Sequence, residues 1–231
     1  MTTVRIETSD GRIDALLGLP AGDGPQPGVV VVHDAIGFSH DNEAIVGRIA
    51  AAGYVAVAPN LYSRGNRLKC MTRVFREALA QHGRSFDDLI AARDHLIGMP
   101  ECSGAVAIAG FCMGGQFALL LGAGNFAAAA PFYGTPLPKN LDRSLNASCP
   151  IVASFGARDP MGRKAPEQLS AVVEAKGVPA DIKVYPQAGH SFANLLPAQP
   201  LLRVTGFGYD DAATDDAWQR VFAFFAEHLP G

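Results

Sequence analysis

Short apolar runs rich in β-branched residues alternate along the chain with longer segments of helical periodicity. An uninterrupted apolar run is typical of a strand that is buried on both faces of a parallel sheet. Six runs have this character: Val29 to Val32, Tyr54 to Ala58, Ala105 to Ala109, Ala127 to Phe132, Ile151 to Phe155 and Ile182 to Tyr185. The alternation predicts an α/β fold with a mostly parallel sheet and helices on both faces.

Two further runs precede these strands, Val4 to Thr8 and Arg12 to Leu19. They flank Ser9-Asp10-Gly11, and an Asp-Gly pair tolerates the positive φ angles of a tight turn. The pattern therefore predicts an N-terminal antiparallel hairpin at one edge of the sheet.

Helices are predicted where apolar residues recur at a spacing of three or four. Ser85-Phe86-Asp87-Asp88 is interpreted as an acidic variant of a capping box that opens one of them. The segment Ser63 to Ser85 has two interpretations, a lid over a site or an ordinary surface helix. The predicted helices are Asn42 to Ala52, Ser85 to Leu96, Met113 to Leu121, Arg163 to Lys176 and Ala212 to Leu229.

Composition narrows the possible partners. With 231 residues, 48% of them hydrophobic, residues 1–231 are expected to form a single domain. A net charge of -3 without basic clusters argues against nucleic acid or an anionic membrane as partner. No apolar leader segment or membrane span is evident, and the four cysteines form no C-x-x-C pair. We expect a cytoplasmic protein with free thiols, no metal site, and a monomeric or small homo-oligomeric state.

The sharpest chemical signal is Gly110-Phe111-Cys112-Met113-Gly114-Gly115, between a predicted strand and a predicted helix. This is the pattern of a nucleophile elbow, in which glycines two residues either side of the nucleophile avoid collisions with neighbouring backbone. The helix N-terminus would favour the thiolate form of Cys112. A lone cysteine in such a pattern is equally often a buried packing residue, so the context decides.

Two other positions supply that context. Asp159 and His190 each follow a predicted strand, and the carboxyl ends of parallel strands lie at one edge of a sheet. The order nucleophile, acid, histidine is the order used by α/β-hydrolases. The sequence therefore predicts a catalytic triad in which Cys112 attacks, His190 moves protons and Asp159 orients the imidazole.

At the level of these motifs the chain resembles the dienelactone hydrolases (carboxymethylenebutenolidases), α/β-hydrolases with a cysteine nucleophile. The resemblance spans nearly the whole chain. It implies hydrolysis of an enol lactone or related small ester through a thioester acyl-enzyme, without a cofactor, in the breakdown of aromatic compounds. The matching segments are Val32 to Gly37, Gly53 to Tyr62, Gly110 to Gly115, Phe132-Tyr133-Gly134 and Ala188 to Ala193.

The resemblance also implies roles for individual residues. The backbone N–H groups of Ala35 and Met113 would form the oxyanion hole. Asp34 stands where family members usually carry a glutamate beside the cysteine, and it either influences the thiol or only shapes its loop. Tyr133 ends a strand and would line the pocket.

Substrate recognition departs from the family pattern. Family members that take dicarboxylate-like lactones use two arginines, and Arg64 matches one of them. The second position is Asn194, which cannot replace a guanidinium, and Arg203 or Arg67 would have to substitute for it. A thioesterase or esterase acting on another small ester is therefore the second interpretation. A thiol redox sensor or binding protein without hydrolysis is the third.

Overall fold

The computed structural model describes residues 1–196 and 199–229, apart from the side chains at positions 200, 201 and 203. The described residues form one mixed eight-stranded sheet with the strand order β1-β2-β4-β3-β5-β6-β7-β8. The strands are β1 Thr2–Thr8, β2 Gly11–Gly18, β3 Gln26–Val32, β4 Val55–Pro59, β5 Cys102–Phe111, β6 Ala128–Phe132, β7 Ile151–Gly156 and β8 Ala180–Tyr185.

Strand direction confirms the predicted sheet. Strands β3 to β8 run parallel to one another, and β1 and β2 form the antiparallel hairpin at one edge. Gly11 lies directly after the turn with φ +98, a conformation that favours glycine. The hairpin joins the sheet by antiparallel pairing of β2 with β4.

Helices cover both faces, as predicted. Neighbouring residues of β3 point to opposite layers: Val30 and Val32 pack on the side of α2, α3, α4 and α6, whereas Val29 and Val31 pack on the side of α1 and α8. The helices are α1 His40–Ala51, α2 Arg67–Ala80, α3 Arg84–Ile97, α4 Met113–Leu121, α5 Leu141–Ser144, α6 Ala165–Lys176, α7 Gln199–Val204 and α8 Asp211–His228.

The start of α3 corrects the predicted capping box. Gly83, with φ +129, occupies the N-cap position, and Ser85 lies inside the helix. The backbone N–H of Ser85 instead donates to a carboxylate oxygen of Glu77 in α2, at 2.9 Å. A carboxylate from a neighbouring helix thus satisfies the N–H that a local cap would have satisfied.

No helix within the described residues is long and apolar enough to cross a bilayer.

Candidate active site

Cys112 lies in the turn that joins the central strand β5 to helix α4, with φ 54 and ψ −117. A non-glycine residue adopts this region only where its surroundings enforce it. A β-carbon at Gly110 would lie 2.0 Å from the carbonyl oxygen of Gly114, and one at Gly114 would lie 2.3 Å from that of Val32. Both glycines are therefore required for the close approach of β3, β5 and α4, which leaves Cys112 partly exposed at the N-terminus of α4.

Asp159 and His190 meet at the carboxyl edge of the sheet. Asp159 follows β7 and is 1% exposed; its Oδ2 lies 2.8 Å from Nδ1 of His190, while its Oδ1 accepts the backbone N–H of Met161 at 2.7 Å. The backbone N–H of His190 donates to the carbonyl of Gly206 at 2.7 Å. The imidazole is thus oriented at one ring nitrogen and anchored through its backbone.

The other ring nitrogen of His190, Nε2, has no hydrogen-bond partner among the described residues within normal limits, although it is buried. Cys112 is close enough to the ring for its side chain to raise the pKa of His190. Burial by itself lowers the pKa of His190, but the hydrogen bond to Asp159 and then the influence of Cys112 outweigh it and raise the pKa to about 9. In space, His190 therefore lies between Cys112 and Asp159. Its imidazole is largely protonated at neutral pH.

Within the described residues, the backbone N–H groups of Ala35 and Met113 donate to no backbone acceptor. Ala35 follows β3 and Met113 opens α4, where the first N–H groups have no acceptor inside the helix. Both residues line the same cavity as Cys112 and His190. These are the two groups that the family resemblance implies as an oxyanion hole, and that assignment stays a prediction.

Asp34 lies in the loop after β3 and is 8% exposed. Its Oδ1 accepts the backbone N–H groups of Ile36 at 2.9 Å and Gly37 at 3.2 Å, so the carboxylate holds the loop that carries Ala35. Burial raises the pKa of Asp34 to about 6, against the opposing effect of these two hydrogen bonds. Asp34 also lines the cavity, so the loop-shaping role and a role near the thiol are compatible.

His33 has a structural environment instead. The backbone N–H of Leu61 donates to its Nε2 at 3.3 Å, which requires the proton on Nδ1, and Nδ1 lies 2.7 Å from the carbonyl oxygen of Asp34. Burial lowers the pKa of His33 to about 4, so the ring is neutral.

The catalytic cavity measures about 500 Å³ and its lining is mostly apolar. Gln116 also lines the cavity, and it was not predicted from the sequence. It lies four residues after Cys112, and this spacing, which places two residues on the same face of a helix, could have identified it. Helix α2 forms one wall, so the segment Ser63 to Ser85 contributes a helix that lines the site. The remaining lining residues are Ile36, Phe75, Ala78, Leu79, Thr135, Pro136, Met161, Ser191, Leu196, Leu202 and Phe207.

The model of the dienelactone hydrolase family matches residues 13–229, nearly the whole chain. The chain belongs to the dienelactone hydrolase family. It is accordingly a carboxylic ester hydrolase. It is 30% identical to the carboxymethylenebutenolidase of Pseudomonas putida, over 96% of this chain and 95% of that protein. It is 31% identical to a putative carboxymethylenebutenolidase of Salmonella typhimurium, over 96% of this chain and 91% of that one.

Solved structures confirm the α/β-hydrolase architecture. A putative dienelactone hydrolase from Klebsiella pneumoniae superposes with a TM-score of 0.78 at 24% identity, and each chain is covered to 98%. The dienelactone hydrolase-like promiscuous phosphotriesterase P91, from metagenomic libraries, gives 0.81 at 23% identity, with 99% of each chain covered. At these identities the likeness concerns the fold.

The structure does not bring Arg64, the predicted substrate-binding arginine, to the cavity. Its guanidinium lies 2.5 Å from Oδ1 of the buried Asp88 in α3 and donates to Thr8 and to the carbonyl of Arg12. Arg64 thus ties the hairpin to α3. Arg67 donates to the carbonyl of Ile36 and also lies outside the lining, and the side chain of Arg203 lies outside the described part.

Tyr133 and Asn194 lie behind the cavity rather than in its wall. Tyr133 is fully buried, and burial raises its pKa well above the ordinary value of tyrosine. Its hydroxyl donates to Oδ1 of Asn194, whose amide nitrogen donates to Oδ2 of the buried Asp41 at 2.5 Å. Tyr133 was predicted to line the pocket, but its ring packs against the imidazole of His190 from behind. Asn194 is held in a buried network instead of facing a substrate.

Proposed function

We propose that this chain hydrolyses a small enol lactone or related ester through a thioester acyl-enzyme on Cys112. The observation that carries the proposal is the 2.8 Å contact of His190 Nδ1 with Asp159, which leaves the buried Nε2 as the ring nitrogen available to the neighbouring Cys112. The family membership and the names of the relatives support a lactone or ester as substrate.

In the acylation step, the Cys112 sulfur attacks the carbonyl carbon, and the electron pair of the C=O π bond moves onto oxygen. The N–H groups of Ala35 and Met113 stabilise this oxyanion by about 3 kcal/mol each. The oxyanion then collapses and the bond to the ester oxygen breaks. That oxygen leaves as an enolate or takes the proton from Nε2 of His190.

Deacylation starts from neutral His190, because the imidazolium has given its proton either to the leaving oxygen during acylation or, where an enolate departed, to that enolate or to solvent afterwards. Neutral His190 then takes a proton from water, and the resulting hydroxide adds to the thioester carbonyl. The C–S bond breaks, the acid is released, and the Cys112 thiolate forms again beside the protonated imidazole. Asp159 keeps Nδ1 as the donor throughout. With a lactone, the enol stays attached to the acyl chain, since the ring opens in the first step.

An enol leaving group suits a thiol nucleophile. The tetrahedral intermediate partitions between loss of thiolate and loss of the ester oxygen, and thiolate is itself a good leaving group. An enolate departs more easily than an alkoxide, so forward partitioning is favoured. Whether the substrate is a lactone or another small ester, Asp34 is proposed to hold the loop after β3 that carries Ala35.

A second candidate is an esterase or thioesterase for a substrate without a carboxylate at the reacting end. The observation that favours it is the cavity lining, which among its described side chains includes no lysine or arginine. The two candidates share the same chemistry and differ in how the substrate is held. The predicted cytoplasmic location and oligomeric state stay predictions.

The test measures loss of a dienelactone by absorbance, beside p-nitrophenyl acetate, for the wild type, Cys112→Ala and Cys112→Ser. We expect Cys112→Ala to lose at least a thousandfold in kcat/KM on every substrate that the wild type turns over. Turnover of the activated ester without turnover of the lactone would favour the second candidate. Undiminished activity of Cys112→Ala would refute the mechanism.

A further inference from the structure

A second, larger cavity of about 830 Å³ opens beside the catalytic cavity. Thr135, Pro136 and Met161 line both, so the two cavities are neighbours that share part of their wall, and Pro136 and Met161 in that shared wall are exposed. Pro160 and Met161, which follow the triad residue Asp159, form part of its wall. A substrate whose ester lies at Cys112 can therefore extend into this second space.

The second cavity is positively charged. Lys139, Arg163 and Lys164 line it, whereas no aspartate or glutamate is among its lining residues. Within the described chain none of the three has an ion pair with a carboxylate. We call this cavity, defined by Lys139, Arg163 and Lys164, the basic groove.

Nearby carboxylates do not neutralise the groove. Asp142 of α5 pairs with Lys176 at 3.0 Å, and the Asp159 carboxylate is buried against His190 and the N–H of Met161. Glu167, in the first turn of α6, lies outside the lining of the groove, and within the described residues it has no ion pair with Lys139, Arg163 or Lys164. Lys164 also precedes α6, so the partial positive charge of a twelve-residue helix adds to that of the side chains. Three cations without counterions on a chain whose net charge is -3 form a local positive field.

We propose that the basic groove binds an anionic group of the substrate, a carboxylate or a phosphate, at a distance from the ester that Cys112 attacks. This inference rests on the proposed function and deepens it. The apolar cavity holds the reacting ester, and the groove supplies the charge recognition that Arg64 and Asn194 do not supply. The side chains are exposed, so each contact is weak, and together we expect about a tenfold effect on kcat/KM.

The experiment compares three proteins: the wild type, the groove variant Lys139→Gln/Arg163→Gln/Lys164→Gln, and the control variant Arg5→Gln/Arg12→Gln/Lys69→Gln. Both variants lose three exposed positive charges, so they share the same net charge, but the control residues lie outside both cavities. Each anionic substrate is paired with a neutral one. The pairs are 4-acetoxybenzoate with its methyl ester, 4-acetoxyphenyl phosphate with 4-methoxyphenyl acetate, and mono-p-nitrophenyl suberate with p-nitrophenyl octanoate.

The readout is the ratio of wild-type to variant kcat/KM for each substrate, in which intrinsic reactivity cancels. We expect the groove variant to lose about tenfold on at least one anionic substrate and less than twofold on its neutral partner, and the loss to shrink in 0.5 M salt. The substrate that shows the loss identifies a carboxylate or a phosphate, on the acyl or the alcohol side. Equal ratios for anionic and neutral substrates, or an equal loss in the control variant, would overturn the proposal.

The affinity for the same anionic esters is also measured by ligand-observed NMR on Cys112→Ala protein, with and without the groove substitutions. This readout needs no turnover, so it separates the two proposals. Weaker binding in the groove variant supports the groove even if Cys112 proves not to be the nucleophile. Neutral-ester turnover that requires Cys112, together with unchanged anion binding, would refute the groove and leave the proposed function standing.

Discussion

The phenol ring of Tyr133 packs against the imidazole of His190, with ring centroids 5.1 Å apart. Phe207 packs against the same imidazole at 5.3 Å, so aromatic rings as well as the Asp159 hydrogen bond fix its position. The Tyr133 hydroxyl points away from the site, toward Asn194. The ring and the hydroxyl of one side chain thus have separable effects, on catalysis and on stability.

Tyr133→Phe should therefore lower stability and leave catalysis nearly unchanged. It removes the donor to buried Asn194, which costs about 1 to 2 kcal/mol in the free energy of unfolding. Tyr133→Ala also removes the ring behind His190, so kcat should fall well below that of Tyr133→Phe. Urea unfolding measures the stability of the wild type and both variants, and esterase kinetics measure their kcat. Both measurements are made well below the melting temperature. Equal kcat values for the two variants would show that the ring does not position His190.

The raised pKa of His190 predicts an alkaline limit to acylation. Substrates with a poor leaving group, such as an ethyl ester, need the proton on Nε2, so their kcat/KM should fall as the pH rises through about 9. A p-nitrophenyl ester should lack this limb, because p-nitrophenolate leaves without a proton. Asp159→Asn weakens the hydrogen bond that contributes most to raising the pKa of His190, and it also removes the charge of the carboxylate, so it should move the limb to lower pH. Identical pH profiles for the ethyl and p-nitrophenyl esters would contradict the assignment of His190 as acid.

Asp34→Asn should stabilise the protein at neutral pH. The folded-state pKa of Asp34 is raised from 3.8 to about 6, so its contribution to stability is fully present below pH 3.8 and lost as the pH rises through 6. Asparagine keeps an oxygen acceptor for Ile36 and Gly37. The variant should gain about 2 to 3 kcal/mol at pH 8 and about 1 kcal/mol at pH 4.5.

Urea unfolding of the wild type and Asp34→Asn at several pH values measures this difference. His33, whose pKa is lowered to about 4, acts with the opposite sign in both proteins and cancels from the comparison. An advantage that does not shrink at low pH would mean that Asp34 does not titrate as described.

The elbow glycines can be tested against a matched helix glycine. Gly114→Ala places a β-carbon 2.3 Å from the carbonyl oxygen of Val32, which backbone movement alone can relieve, so expression as folded protein should be lost. Gly47→Ala, in α1, meets only the end of the Met1 side chain at 3.8 Å and should stabilise the protein by about 0.5 to 1 kcal/mol. Circular dichroism and thermal melting distinguish the two. A folded, active Gly114→Ala protein would contradict the packing described for the elbow.

The sheet was predictable because its strands are buried on both faces, which leaves unbroken apolar runs such as Val29 to Val32. The convergence of Cys112, Asp159 and His190 followed from topology, since each residue comes directly after a parallel strand. The direction in which a side chain points could not be predicted from the apolar runs or from the order of the strands. Arg64 lies at the expected position in the chain, but its guanidinium turns toward Asp88, a contact between residues 24 apart that no local pattern encodes.

Contacts between residues far apart in the chain also explain why the environments of Tyr133 and Asn194 and the start of α3 were not predicted. The Asn194 amide pairs with Asp41, 153 residues away, and Ser85 is satisfied by a carboxylate of another helix. The walls of the cavity come from α2 and from residues near α7, so long-range packing rather than local periodicity selects Phe75 and Phe207.

The most direct test of the central claim is intact-protein mass spectrometry of enzyme quenched in acid during turnover of a slowly deacylating ester. We predict a mass increase equal to the acyl group, located on the peptide that contains Cys112, removed by hydroxylamine and absent from Cys112→Ala. Rapid turnover without any acyl adduct on Cys112, or an adduct that persists in Cys112→Ala, would contradict the account.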